Sequence, residues 1–198
     1  MHRALAALRA ETSGSSRTVE QAITQARINC AKYFIAPDNV AYADQRLVAI
    51  GTDDGVYIGS YSLQSGFYTT WIKALTLTQI TQIDVLEDFD ILLILANPKR
   101  ELITYTLNDV LAHTLPTSDP GAPQSPAKLP RHLLGSDSVG FFTIGKLKNR
   151  TLVIYQRRNG ATSVFKALEP VERKDNRIRK SFRGRKATEL FREYDVYA

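Results

Sequence analysis

The order of apolar and polar positions changes character near residue 27. Beyond it the chain becomes a series of short apolar runs, each compatible with one strand. They are "RINCAKYF" (27–34), "RLVAIG" (46–51), "GVYIGSY" (55–61), "TTWIKAL" (69–75), "ITQIDVL" (80–86), "ILLILA" (91–96) and "ELITYTL" (101–107). "VGFFTIGKL" (139–147), "TLVIYQR" (151–157) and "TSVFKAL" (162–168) complete the series. These runs are rich in β-branched and aromatic residues, which suit a pleated surface. "GTDDG" (51–55) sets Asp-Asp-Gly between two of them, a hairpin signal. "ANPKRE" (96–101), "KNR" and "RRNGA" punctuate later runs in the same way. Long periodic helices are absent after residue 27. The pattern predicts an all-β fold of short antiparallel strands, and leaves sandwich, barrel and propeller open.

Two segments fall outside this rhythm. Residues 108–137 hold five of the eight prolines and are expected to be an exposed connection, since proline cannot donate to a ladder. Residues 1–24 are expected to be a flexible N-terminal segment in which "RALAALRAE" forms a turn or two of helix and frays into Ser and Gly. Arg3, Arg9 and Arg17 give it a basic cast, but Glu11 and its brevity argue against a mitochondrial presequence.

Candidate chemistry adds little. The acidic stretch "TQIDVLEDFDILLILA" (81–96) sets Asp84, Glu87, Asp88 and Asp90 against an unbroken apolar run. A calcium loop needs ligands at alternating positions, a central Gly and a distal Glu, none of which is present. The carboxylates are therefore read as turn residues, which Asp favours by bonding its own backbone. Cys30 is the single cysteine, so there is no internal disulfide and no thiolate-rich zinc site, and a reduced cytosolic setting fits best. His2, His113 and His132 lie far apart in the chain. "GTDDGVYIG" lacks the spacing of a dinucleotide loop, and no nucleophile elbow, Walker motif or His-Glu-x-x-His occurs. Trp71 is read as a packing residue. No catalytic residue, metal ligand or cofactor is expected. No uninterrupted apolar stretch is long enough to span a membrane.

The net charge of +6 is unevenly distributed: residues 172–198 hold nine Lys and Arg against five Asp and Glu. Arg173, Lys174, Arg177, Arg179, Lys180, Arg183, Arg185 and Lys186 form the candidate interaction patch. Such a run suits an anionic membrane surface or an acidic protein surface. Nucleic acid is disfavoured, because Phe182 is the lone aromatic residue within the run. The competing reading is a solvated loop.

Three segments together resemble the CNH (citron homology) domain. "LVAIGTDDGVYIG" (47–59) is similar to its Gly-Thr hairpin. "ITQIDVLEDFDILLILANPKRELITYTLNDV" (80–110) is similar to the block of a Thr-Gln-Ile strand, an acidic turn, a Leu-rich strand and a Tyr-x-Leu strand. "VGFFTIGKLKNRTLVIYQRRNGATSVFKALEP" (139–170) is similar to the block in which a Phe-Phe strand precedes a Thr-Leu-Val strand. The closing "FRGRKATELFREYDVY" resembles the continuation found in fungal Rho guanine-nucleotide exchange factors.

The resemblance implies a CNH-type partial β-propeller, with residues 25–198 as the N-terminal part of the domain and its blades incomplete. A typical blade takes about 40–45 residues, so two to three blades are expected, from a fragment or a truncated gene. It implies a non-catalytic protein-interaction module regulating Rho-family GTPase signalling, as part of an exchange factor. Alternatives in the family are a vacuolar or endosomal tethering subunit, and a Ste20-like or citron-type kinase. Protein partners of the Rho-type GTPase pathway are expected, with no small-molecule substrate. The expected location is cytoplasmic, with peripheral membrane contact through the basic run.

Overall fold

In the computed structural model the described residues are 26–36, 46–62, 67–114, 129–135, 138–159, 162–170 and 190–193. They form three four-stranded antiparallel sheets, each a meander in chain order. The first comprises β1 (Ile28–Ile35), β2 (Arg46–Thr52), β3 (Val56–Ser62) and β4 (Phe67–Leu75). The middle sheet comprises β5 (Ile80–Leu86), β6 (Ile91–Ala96), β7 (Glu101–Thr106) and β8 (His132–Gly135). The third comprises β9 (Val139–Leu147), β10 (Arg150–Asn159), β11 (Thr162–Pro170) and β12 (Phe191–Glu193). The architecture is a partial β-propeller of three blade-like sheets.

Strand alternation divides the apolar residues between two cores. Leu92, Ile94 and Ala96 of β6 join Phe34, Leu47, Ala49, Val56 and Ile58 of the first sheet. Ile91, Leu93 and Leu95, on the other face of β6, join Phe142, Val153, Tyr155 and Leu168 of the third sheet. The middle sheet is thus covered on both faces, and all six side chains of β6 are buried. Two bulges keep the alternation in phase. A register shift between Ile80 and Gln82 lets Ile80 and Ile83 share the first core. A second shift, opposite Gln156 and Arg157, lets Val139 and Phe142 share the other.

A smaller cluster on the far face of the first sheet joins Ile50, Tyr57 and Trp71. A Cβ on Gly59 would lie 2.8 Å from the Trp71 ring, so the missing side chain is what admits the indole. Trp71 is a packing residue, as expected.

The Pro-rich segment departs from a continuous loop at both ends. Leu107–Thr114 is a helix, α1, which buries Leu107, Val110 and Leu111 in the first core, and His132–Gly135 is β8. Apolar residues one helical turn apart outweigh the prolines, which begin only at residue 116. Residues 115–128, like the N-terminal segment 1–25, lie outside the described residues.

Candidate interaction surface

Because each sheet is a meander and β5 and β9 start at the same end, the connections fall on two rims. One rim is fastened peptide to peptide. The amide of Gln79 donates to the Asp53 carbonyl (2.9 Å), and that of Asn97 to the Gln79 carbonyl (3.0 Å). Farther along, Ser138 N donates to Lys99 O and Val139 N to Arg100 O, each at 3.2 Å. Gln79, Arg100 and Ser138 adopt left-handed φ values of 47°, 54° and 66° to make these turns. The Arg100 guanidinium adds bonds to the carbonyls of Val139 (2.7 Å) and Gly140.

The "GTDDG" hairpin lies on this rim. Thr52 Oγ1 donates to Asp54 (2.6 Å), whose other carboxylate oxygen accepts from Tyr57 (2.9 Å) and Lys73 (2.7 Å). Burial pushes the Asp54 carboxyl up, but the bonds from Lys73, Thr52 and Tyr57, with the Lys73 charge, outweigh it and hold it at about 2. Burial, then the Asp54 bond, pushes the Tyr57 hydroxyl up to about 12. Burial likewise raises the Cys30 thiol to about 11, leaving it un-ionised at neutral pH.

The other rim carries the acidic stretch, and Asp84, Glu87 and Asp90 each join two elements. Asp84 pairs with Lys32 of β1 at 2.6 Å. Glu87 opens a single 3₁₀ turn, Glu87–Phe89, and accepts the amide of Ile35 at 3.1 Å. Asp90 is buried in a left-handed conformation, and its carboxylate accepts the Asn108 amide at 2.7 Å in the first turn of α1. Asp88 is exposed. The reading of these residues as turn formers holds, and the structure adds that they tie β5 to β1 and α1. Across the other interface, the Gln82 amide imitates a peptide: its Nε2 donates to Phe142 O (2.5 Å) and its Oε1 accepts from Phe142 N (3.2 Å).

On the same rim the third sheet ends in the β9–β10 hairpin, where residues 146–150 (Lys-Leu-Lys-Asn-Arg) are all exposed. Lys148 makes the turn with φ of 55°. The end of β11 and the start of β12 lie at this end too, where Pro170 pairs with Phe191. Beside it, Glu169 receives Arg192 at 2.7 Å and Arg150 at 3.7 Å. The Arg192 hydrogen bond holds the Glu169 carboxyl below its ordinary value, against the effect of burial.

The candidate patch Arg173, Lys174, Arg177, Arg179, Lys180, Arg183, Arg185 and Lys186 lies outside the described residues. The described cations of the β9–β10 hairpin, Lys146, Lys148 and Arg150, were not singled out by sequence, where "KNR" reads only as a turn. Among the described residues, no three His, Cys, Asp or Glu side chains are grouped so as to hold a metal ion. No described helix is long and apolar enough to cross a membrane.

The family profile of the CNH domain matches residues 44–196, and the chain belongs to that family. It is 27% identical over 146 residues to Rho1 guanine nucleotide exchange factor 1 of Schizosaccharomyces pombe, covering 72% of this chain and 10% of that protein. To Rho1 guanine nucleotide exchange factor 3 of the same yeast it is 28% identical over 183 residues, covering 82% of this chain and 13% of that protein. A solved structure described as the AfRom2 CNH domain is similar at 24% identity and a TM-score of 0.47, over 74% of this chain and 45% of that one. The chain thus spans only a small fraction of the curated relatives it matches.

Proposed function

We propose that this chain is a non-catalytic protein-interaction module acting in Rho-family GTPase signalling, as part of a guanine-nucleotide exchange factor. The observation that carries this reading is the similarity to two Rho1 exchange factors within a CNH match over residues 44–196. That similarity favours Rho signalling over the trafficking and kinase alternatives. Among the described residues, the carboxylates of Asp84, Asp90 and Glu169 are engaged by backbone amides and cations, which gives them structural work. On this reading the protein is cytoplasmic, and the run from Arg173 to Lys186 contacts an anionic partner surface at the membrane periphery.

The test is a chimera. Residues 44–196 replace the matching segment of Rho1 guanine nucleotide exchange factor 1 of the fission yeast. Cellular GTP-loaded Rho1 should then stand well above that of a strain lacking the segment. A folded chimera no better than the deletion would remove the Rho assignment. The isolated chain should not accelerate GDP release from a Rho-type GTPase, and acceleration would overturn the non-catalytic assignment.

A further inference from the structure

Neighbouring sheets present opposite charge on the rim that holds α1. The middle sheet ends there in exposed Glu87 and Asp88 with a single exposed cation, Arg131, among the described residues at the start of β8, and the third sheet in Lys146, Lys148 and Arg150. Among the described residues neither Lys146 nor Lys148 has an ion-pair partner, and Glu169 already faces two guanidiniums, those of Arg150 and Arg192. Between the two lysines Leu147 is 46% exposed. It pairs across the hairpin with the exposed Arg150, so the tip sets an apolar side chain beside a cation, with Lys146 on the opposite face of the strand.

We propose that the β9–β10 hairpin tip is a docking site for an acidic segment of a protein partner. Lys146 and Lys148 would meet its carboxylates, and Leu147 an apolar side chain within it. The charge split on the rim selects this partner class. An extended anionic membrane approaching the rim would also meet Glu87 and Asp88, and like charges brought together are disfavoured. A compact acidic segment confined to the third sheet avoids them. Nucleic acid would need stacking platforms, and the tip carries no aromatic residue. This proposal rests on the interaction-module reading, but not on the Rho pathway.

The experiment uses the full chain and a fluorescein-labelled polyglutamate peptide with one central leucine, read by anisotropy. Phosphatidylcholine vesicles with and without phosphatidylserine, and a single-stranded oligonucleotide, form the competing arms. Reversing the tip charge with Lys146→Glu and Lys148→Glu should weaken peptide binding about tenfold, at the scale of exposed ion pairs. Leu147→Ser should weaken it a few-fold. Both effects should persist when the basic residues from Arg173 to Lys186 are changed to Gln, and thermal melts should show that the exposed substitutions leave the fold intact. Unchanged peptide binding in the tip variants overturns the proposal. So does tighter binding to the anionic vesicles or to the oligonucleotide than to the peptide. A failed chimera alongside a tip-dependent peptide complex would remove only the Rho reading.

Discussion

The middle and third sheets share a four-stranded meander but differ in what covers them. All six side chains of β6 are buried, whereas β9 exposes Phe141, Thr143, Lys146 and Leu147. On the third sheet's outer face, Phe141 and the 60% exposed Phe165 meet edge to face at 6.3 Å, either side of the Gln156 row. The same period-two pattern thus feeds two cores in one sheet and a single core in the other. An apolar residue at every strand position marks a sheet with neighbours on both sides, and alternation marks one covered on a single side.

The largest difference between the two sheets should appear when matched leucines are truncated. Leu93→Ala, in the core between the sheets, should cost about 3 kcal/mol, while Leu147→Ala at the hairpin tip should stay within about 0.5 kcal/mol. Urea unfolding of both variants gives the difference, and equal losses would refute it.

Glycines sharpen the contrast. A Cβ on Gly51 would lie 2.5 Å from Ile80 and 2.6 Å from the Cys30 sulfur, at the interface of the first and middle sheets. At Gly145, on the outer face of the third, the nearest atom is 3.6 Å away. Gly51→Ala should therefore destabilise by about 1–3 kcal/mol through overpacking. Gly145→Ala should be neutral, or stabilising by up to about 1 kcal/mol through the unfolded state.

Next in size is the tie between the acidic turn and α1. Asp90→Ala should cost about 1–2 kcal/mol, the scale of a lost helix cap, and should speed amide exchange at Asn108. Asp90→Asn keeps an acceptor oxygen and tolerates the left-handed backbone, so it should recover most of the loss.

The smallest effect is expected at Asp54. Its folded value of about 2 lies below the ordinary 3.8, so the folded state favours the ionised form. Its contribution is present above about pH 4 and is lost as the pH falls through about 2. The side chain is 53% exposed, and solvent screening should keep the contribution below about 1 kcal/mol. Asp54→Asn should flatten the stability profile between those pH values and leave it unchanged between pH 5 and 7.

Much of the fold was legible. Ten strands fall where the apolar runs lie, and β5, β6 and β9 match their predicted limits. β8 and β12 escaped because four and three residues are too short to display a period. Helix α1 escaped for a different reason. Part of its N-terminal satisfaction comes from Asp90, 18 residues back, where no local pattern could reveal it. The hairpin "KLKNR" was visible as a turn, but its nearness to Glu169 and Arg192 is a consequence of the meander and becomes apparent only in three dimensions. Gln82 gave no signal either, since an amide that substitutes for a peptide group looks like any polar residue on a strand.

The peptide-to-peptide rim has a consequence for how this chain can vary. The linking donors are the main-chain amides of Gln79, Asn97, Ser138 and Val139. Nineteen of the twenty residue types can supply an amide, so drift in side-chain chemistry there leaves the fastening in place. Proline alone removes the donor outright. At left-handed Gln79 and Ser138 a β-branched residue would add strain, whereas Gly or Asn would fit. A saturation library at Gln79, Asn97, Ser138 and Val139 should therefore be permissive almost everywhere, with its intolerance concentrated in one imino acid and one backbone conformation, whereas Arg100, whose guanidinium is itself a fastener, should not be. The carboxylate-tied rim should show the reverse, because there the side chains themselves are the fasteners.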